Sequence, residues 1–474
     1  MSAIQKQSEL AFLGVRALTR FFRDGEITPV DAANAAFEQI AARNDSLNAF
    51  SHLDHEGALQ AAAASAARWR VGRPLSAIDG ITTTIKDVMM VEGWPTTFGS
   101  RVLGSGEPST WNSPAVDRLL EAGAVLVGQT TTPESGWKGV TDNTIHGVTR
   151  NPWDTNKTPG GSSGGAAAAA AAGMGVLHVG TDGGGSIRMP AAFTGTFGHK
   201  PSFGRVPAYP PSPYSTLAHV GPMTRSVEDA AIMLSVLTGA DVRDWHALPP
   251  DGVRYEEELT KGVKGKRIAY SPDLGYVDVD PEIASVVRKA ADQLADLGAN
   301  VEEVGHIFDE PVDIVEALYF TGLAARFGDM DSSKLALVDP GLIEIIEKGK
   351  KVLLRDFLDA SVARAEFGRK LKQFFVNYDL LLTPTVPIAA FDVELQTPET
   401  NGRGWSHAWI PFTYPFNLTQ QPACSVPCGF TSEGLPVGLQ IVGRMYDDKG
   451  VLQAAHAFEA ICPPTFPINL KMDA

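Results

Sequence analysis

From residue 78 onward, the chain alternates short apolar runs with helical stretches, and Gly/Pro turns separate them. Residues 81–88 and 125–129 are strand-like, and the pattern of residues 113–124 between them is helical. Residues 267–304 repeat this order as a strand at 267–270, a helix at 281–298 and a second strand at 301–304. Strands that alternate with helices predict an α/β fold in which helices cover both faces of a sheet.

The 474 residues are enough for one large α/β domain or for two to three smaller ones. We expect a single domain over residues 1–474, because sheet-like runs return near the C-terminus after a long helical stretch. Four parts of it differ in pattern: a helical N-terminal segment at about 8–67, a core at about 78–235, a more variable helical lobe at about 240–375 and a return to the core at about 376–465.

The charge and the apolar pattern exclude several classes of protein. The formal net charge of −15 argues against direct nucleic-acid binding, because an acidic surface repels phosphate groups. The alanine run at 166–172 is too short to span a bilayer, and residues 1–12 lack an apolar core of signal-peptide length. We therefore expect a cytoplasmic protein that has no membrane segment.

The three cysteines do not suggest a disulfide framework or a metal centre. An odd, small number of cysteines in a long chain indicates free thiols. Cys424 and Cys428 form a C-x3-C pair, but no histidine cluster nearby completes a zinc site. We expect no metal ion and no organic cofactor.

Two glycine-rich segments carry serines that are candidates for catalysis. Residues 159–165 (PGGSSGG) lead into the alanines, a pattern typical of a loop that enters a helix. Residues 180–188 (GTDGGGSIR) place three consecutive glycines before Ser186. Glycines are costly to order, but they let backbone N–H groups point at a bound oxygen beside a nucleophile. The structural alternative is that the first segment only caps a helix and the second is an ordinary glycine-rich turn, with no catalytic role for either.

Lys86 lies near the end of the strand-like run at 81–88, where a lysine is unusual. Burial lowers the pKa of a lysine because it disfavours the charged form, and a neutral lysine can serve as the base for a serine. The structural alternative is a surface lysine that pairs with Asp87. When Lys86 is considered without the two serine segments, a surface lysine is the better interpretation.

A serine–histidine hydrolase is a competing interpretation of the first glycine-rich segment. Gly161-x-Ser163-x-Gly165 matches the nucleophile elbow of such enzymes. They need an acid and then a late histidine, whereas His456, the only histidine near the C-terminus, lies in a helix-like stretch. The chain also lacks the histidine-pair motif of metalloproteases and the phosphate-binding P-loop motif.

Together, these segments resemble the amidase signature family. Besides PGGSSGG and GTDGGGSIR, the shared motifs are PAAF (190–193), GHKP (198–201), GPMTRS (221–226) and GLPVGLQIVG (434–443), with Lys86 and Asp87 upstream. The match is dense over about 80–230 and 378–445 and thinner over about 240–375, the region that we expect to shape substrate choice. The resemblance implies an α/β fold with a mixed, mostly central β-sheet that helices cover on both faces.

The resemblance also implies a Ser–cis-Ser–Lys triad and a double-displacement mechanism. Ser186 is then the nucleophile, Ser162 is the bridging serine beside a cis peptide bond, and Lys86 is the base. The implied oxyanion hole consists of the backbone N–H groups of Gly183, Gly184, Gly185 and Ser186. Three further residues are expected to support the site through hydrogen bonds and structural contacts: Ser163, Asp182 and Arg188.

We expect a stand-alone amidase whose substrate is a small aryl or otherwise apolar amide. The residues that suggest an apolar pocket lie near or between the motifs: Met89, Met90, Trp94, Trp137, Tyr209, Tyr214 and Trp405. The resemblance also permits a glutamine-hydrolysing subunit of a tRNA-dependent amidotransferase. A non-catalytic binding protein on the same fold is a third alternative, which predicts an incomplete triad. A homodimer is possible, since dimers are common among soluble enzymes.

Overall fold

The computed structural model describes residues 9–104, 106–398 and 409–467. In these residues the strands are β1 (Phe50–Leu53), β2 (Thr82–Lys86), β3 (Val125–Thr130), β4 (Asp142–Asn143), β5 (Gly147–Val148), β6 (Leu177–Asp182), β7 (Phe197–Lys200), β8 (His219–Thr224), β9 (Arg267–Tyr270), β10 (Asn300–Glu303), β11 (Leu380–Pro384), β12 (Ala423–Phe430) and β13 (Pro436–Gly443). The helices are α1 (Val15–Asp24), α2 (Pro29–Leu47), α3 (His55–Arg70), α4 (Pro114–Glu121), α5 (Gly164–Ala171), α6 (Arg188–Thr194), α7 (Val227–Leu237), α8 (Pro281–Asp296), α9 (Val312–Phe327), α10 (Ser332–Leu335), α11 (Pro340–Gly349), α12 (Leu354–Asn377), α13 (Pro415–Leu418) and α14 (Asp448–Ile461).

Eleven of the described strands form one sheet, in the order β1-β3-β2-β6-β8-β7-β12-β13-β11-β9-β10. β2 runs parallel to both of its neighbours, β3 and β6. From β6 across to β11, each pair is antiparallel. The pairs β9–β11 and β9–β10 are parallel again. The sheet is therefore mixed, as the resemblance implied.

Both faces of this sheet are covered in its middle. Every residue of β2, β3, β8 and β13 is buried, so neither face of these strands meets solvent. The edge strand β10 differs, because three of its four residues are exposed. The prediction of a central sheet that helices cover on both faces is confirmed.

The N-terminal segment differs from the prediction at one place. Residues 50–53 form the edge strand β1, although we expected helix throughout about 8–67. Asn48 ends α2 in the left-handed conformation, and from Phe50 the chain pairs antiparallel with β3. The four residues Phe-Ser-His-Leu show neither an apolar run nor an alternation of apolar and polar residues, so this strand depends on its tertiary partner. Residue 8 lies outside the described residues.

The topology brings the two strands that carry the candidate site side by side. β2 ends at Lys86 and its parallel neighbour β6 ends at Asp182, so both carboxyl ends lie at the same edge. One glycine-rich segment leads into α5, and the other connects β6 to α6. In α/β sheets, ligands bind where the carboxyl ends of strands meet such loops.

Two further findings concern the described residues as a whole. None of their helices is both long enough and apolar enough to cross a membrane. All three cysteines are free, as predicted: Cys424 and Cys428 are buried, and Cys462 is half-buried.

Candidate active site

Lys86 lies wholly inside the protein, with 0% of its surface exposed. Its Nζ contacts three hydroxyl oxygens: Ser162 Oγ at 2.7 Å, Ser163 Oγ at 2.9 Å and Thr181 Oγ1 at 2.9 Å. Asp87 instead accepts hydrogen bonds from the backbone N–H and the hydroxyl of Thr97. The alternative of a surface lysine that pairs with Asp87 is therefore excluded.

Two opposing effects set the pKa of Lys86. Burial lowers this pKa to about 7, while the negative charge of Asp182 acts in the other direction and raises it. Burial has the larger effect, because the charged ammonium loses its water and gains only neutral hydroxyls. Burial therefore favours the uncharged amine, which has the lone pair that a base needs.

The two serine loops lie against each other. The Gly161–Ser162 peptide bond is cis, as the resemblance implied. Gly161 has no room for a side chain, because a Cβ there would lie 2.7 Å from the carbonyl carbon of Val140. The N–H of Ser163 donates to the carbonyl oxygen of Ser186 at 3.2 Å, which joins the loops.

Ser162 and Ser186 both line one cavity, and Ser186 is 9% exposed. Lys86 does not line the cavity itself, but its contact with Ser162 places it next to the wall. One contact is not made: within the described residues, the hydroxyl of Ser186 has no hydrogen-bond partner. Catalytic hydrogen bonds often form only once a substrate is bound.

The turn at 183–185 carries the glycines of the expected oxyanion hole. Gly185 has φ +133°, and a Cβ there would lie 2.3 Å from Thr413 Oγ1, so this position requires glycine. Its N–H donates to Asp182 Oδ1 at 2.7 Å. This donor is already engaged in the present arrangement, so the role of Gly185 in an oxyanion hole stays a prediction. Gly183 lines the cavity, and Gly184 has ordinary space around it.

Asp182 and Arg188 form a buried ion pair behind this turn. Arg188 donates to both carboxylate oxygens of Asp182, at 2.9 and 3.0 Å, and both side chains are 0% exposed. Asn417 also donates to Asp182 at 2.8 Å, and Gln440 accepts from Arg188 at 2.8 Å. Burial alone raises the pKa of Asp182, but the Arg188 charge and these hydrogen bonds outweigh it and hold the pKa well below its ordinary value. Asp182 is therefore ionised and fixes the turn that carries Ser186.

The cavity contains about 870 Å³ of space, its open mouth included. Much of its wall is apolar or aromatic, and Tyr214 and Tyr319 stack on each other with ring centroids 4.2 Å apart. The Tyr214 hydroxyl donates to the carbonyl of Ser135 at 3.0 Å, and the Tyr319 hydroxyl donates to that of Trp137 at 2.8 Å. These bonds hold both rings in place on the wall.

The expected pocket residues divide into two groups. Met89, Tyr209 and Tyr214 line the cavity. Met90, Trp94 and Trp137 lie away from its lining, and Trp405 lies outside the described residues.

Several residues of the site were not predicted from the sequence. Thr181 contacts Lys86, and its position beside Asp182 at the end of β6 was the available signal. Four others reach the cavity wall only through tertiary packing: Phe98, His219, Tyr319 and Arg326. The last two belong to α9, so the lobe at about 240–375 does contribute to the wall.

Among residues 9–104, 106–398 and 409–467, the geometry offers no serine–histidine pair. His219 lines the cavity, but its Nδ1 lies 2.8 Å from the carbonyl oxygen of Leu217, so that nitrogen donates to the backbone. Burial lowers the pKa of His219 well below its ordinary value. His456 lies on α14, away from the cavity lining. Among the described residues, no group of three or more His, Cys, Asp or Glu side chains is placed to hold a metal ion.

The Amidase family model matches residues 31–452. The chain belongs to this amidase family. It is 36% identical to an acylamidase of Rhodococcus erythropolis over 96% of this chain and 97% of the relative. It is also 36% identical, with the same coverage, to a glutamyl-tRNA(Gln) amidotransferase subunit of Chloroflexus aurantiacus. The crystal structure of a bacterial aryl acylamidase of the amidase signature family superposes with a TM-score of 0.89 at 31% identity, over 95% of this chain and 96% of that one.

Proposed function

We propose that this amidase hydrolyses a small carboxamide through an acyl-enzyme on Ser186, with Ser162 and Lys86 as the proton relay. The observation that carries the proposal is the contact of the buried Lys86 Nζ with Ser162 Oγ at 2.7 Å, at the cavity that Ser186 also lines. The acylamidase and aryl acylamidase relatives support an amide as the substrate.

The hydrogen bonds of Ser163 indicate which hydroxyl serves Lys86. A hydroxyl has one proton, and Ser163 donates its proton to the carbonyl oxygen of Thr181 at 3.1 Å. Ser163 therefore accepts from Lys86 and orients it. The lone pair of neutral Lys86 then faces Ser162 or Thr181, and Ser162 makes the shorter contact, 2.7 Å against 2.9 Å.

The reaction then follows in two halves. Lys86 takes a proton from Ser162, Ser162 takes one from Ser186, and the Ser186 oxygen attacks the amide carbonyl carbon. The N–H groups of Gly183, Gly184 and Ser186 are the available donors to the developing oxyanion. The relay returns a proton to the nitrogen as the C–N bond breaks and the amine leaves. Water, activated by the same relay, then cleaves the ester to Ser186 and releases the acid.

The wall of the cavity supports an aryl or otherwise apolar substrate. The stacked rings of Tyr214 and Tyr319 lie beside Phe98 and Met89 on the lining. Apolar and aromatic walls with a few placed polar groups are typical of small-molecule sites. The chemistry of the wall suits a substrate with a flat or apolar group next to the amide.

A glutamine-hydrolysing component of an amidotransferase is the second candidate, because relatives with that name match the chain as well as the acylamidase does. Glutamine carries an α-ammonium group, which an acidic side chain would be expected to bind. Within the described residues, no Asp or Glu lines the cavity. This absence favours the stand-alone amidase. A non-catalytic binding protein is not favoured, since it predicts an incomplete triad, whereas Lys86 contacts Ser162 and both serines line the cavity.

The test is release of amine or ammonia by the purified chain from anilides, short aliphatic amides, aryl-acetamides, peptide amides and glutamine. We expect fast turnover of one amide class. Ser186→Ala and Lys86→Met should each lower kcat by at least about a thousandfold, in line with losses of nucleophile or base in other serine hydrolases. Ser361→Ala, which removes a hydroxyl from α12 outside the cavity, is the matched control.

Two outcomes would count against the proposal. Full activity of Ser186→Ala would remove the nucleophile from the mechanism. Slow cleavage of glutamine alone, with no turnover of the other amides, would favour the amidotransferase component and direct the search to its partner.

A further inference from the structure

Arg326 places a positive charge on the wall of the catalytic cavity. It is half-buried in the last turn of α9 and lines the same cavity as Ser162 and Ser186. Its guanidinium lies over the ring of Phe98, 5.3 Å from the centroid. This cation–π contact holds the guanidinium over the ring but uses none of its five N–H donors.

Arg326 has no acceptor among the described residues. It makes no ion pair with them, and its buried Nε has no hydrogen-bond partner. By contrast, the buried Arg188 is paired with Asp182, and the buried Arg225 donates to three backbone carbonyls. Burial lowers the pKa of Arg326, which reflects the cost of holding an unpaired cation away from water. The folded chain thus keeps unused donors at the cavity.

No other charged side chain of the described residues lines this cavity. The neighbouring Tyr214 and Tyr319 hydroxyls are bound to backbone carbonyls and cannot neutralise a cation. Arg326 therefore gives this wall a positive charge. A guanidinium pairs with a carboxylate through two parallel hydrogen bonds, which makes the carboxylate its best-matched ligand.

We propose that Arg326 binds a carboxylate that the amide substrate carries at a distance from the scissile bond. The inference rests on the proposed function, because it assumes that the substrate occupies the Ser186 cavity. The substrate class is an amide with one free carboxylate and no ammonium group. Anilides of aminobenzoic acid and monoamides of dicarboxylic acids have this chemistry. The ring or methylene chain between the two groups packs against the stacked tyrosines.

The test compares matched substrates that differ by the carboxylate alone. The pairs are 4-acetamidobenzoate with acetanilide, and succinamate with butyramide. In the wild-type chain, kcat/KM for at least one carboxylate member should exceed that of its neutral partner by roughly 10- to 100-fold, the range of a charge-assisted hydrogen bond. Arg326→Met should reduce this ratio to near one, and Arg326→Lys should retain part of it. Arg355→Met, on an exposed position of α12, should leave the ratio unchanged.

Binding is measured separately from turnover. In the Ser186→Ala background, we expect calorimetry to show that Arg326→Met weakens binding of the carboxylate member by the same factor and leaves its neutral partner's affinity little changed. A wild-type ratio at or below one for both pairs, or a ratio that survives Arg326→Met, would overturn the role of Arg326 while the proposed function stands. Turnover by Ser186→Ala would instead contradict the proposed function, and thermal unfolding of each variant separates both results from misfolding.

Discussion

Replacing Asp182 with Asn tests whether the buried ion pair holds the catalytic turn. The carboxylate accepts hydrogen bonds from the N–H groups of Gly185 and Ile187, from Arg188 and from Asn417. An asparagine has one acceptor oxygen and an NH2 group that would face existing donors. The substitution also leaves Arg188 as a buried cation without its partner. Removing one member of a buried pair costs about 3–5 kcal/mol, so Asp182→Asn should lower the free energy of unfolding by that amount.

The matched control is Asp379→Asn. Asp379 pairs with Arg444 at 2.8 Å, but the two side chains are 25% and 40% exposed. An ion pair that water reaches is worth about 0–1 kcal/mol. Urea-induced unfolding of the wild-type chain, Asp182→Asn and Asp379→Asn is followed by tryptophan fluorescence. It gives the loss in free energy of unfolding for each variant. Equal losses in both variants would refute the reasoning that burial makes the Asp182–Arg188 pair decisive.

Asp182→Asn should also shift the pH dependence of kcat/KM in a direction that the structure defines. The charge of Asp182 raises the pKa of Lys86, so its removal lowers that pKa below about 7. Lys86 is the active base when deprotonated, and the acidic limb of kcat/KM should therefore move to lower pH in Asp182→Asn. A shift to higher pH would show that Asp182 does not act on the base in this way.

Three further predictions concern the base, the glycine turn and metal dependence. In the wild-type chain, kcat/KM should rise with pH through a midpoint near 7, because Lys86 must lose its proton, and a pH–rate profile with full activity at pH 5 would exclude this base. Gly185→Ala should abolish activity or folding, since its Cβ would lie 2.3 Å from Thr413 Oγ1, whereas Gly183→Ala meets only a 3.5 Å contact with Tyr214 and should keep the fold by circular dichroism. Dialysis against EDTA should leave the rate unchanged, because no step of the relay uses a metal, and loss of activity that zinc restores would contradict the mechanism.

Elements with a strong local pattern were predictable from the sequence. The expected strand at 267–270 is β9 as found, and the expected helix at 281–298 is α8, which ends two residues earlier. β9 is a short apolar run, and the apolar residues of α8 repeat at helical spacing, so local sequence and tertiary packing agree in both. β1 was missed because only its pairing with β3 makes those four residues a strand.

The residues of the candidate site also fall into two groups, those that belong to sequence motifs and those that only tertiary packing places there. Lys86, Ser162 and Ser186 belong to motifs that can be recognised along the chain, and the fold places Lys86 next to the cavity that both serines line. Arg326 belongs to no motif, since it reaches the cavity only because α9 packs beside the site. The direction of the Gly185 N–H is also invisible in the sequence, because three consecutive glycines allow many backbone conformations.

A buried lysine base requires that burial lowers its pKa far enough to leave the amine uncharged near neutral pH, but not much further. Burial alone favours neutral Lys86, but a lysine whose pKa is lowered too far is a weak base, because basicity falls with the pKa. Asp182 raises the pKa again without touching the amine, and it can do so only while it stays ionised in the interior. Arg188 keeps it ionised by charge and by two hydrogen bonds. In the proposed mechanism, the Asp182–Arg188 pair therefore both fixes the turn that carries Ser186 and tunes the base that activates it, although neither side chain lines the substrate cavity.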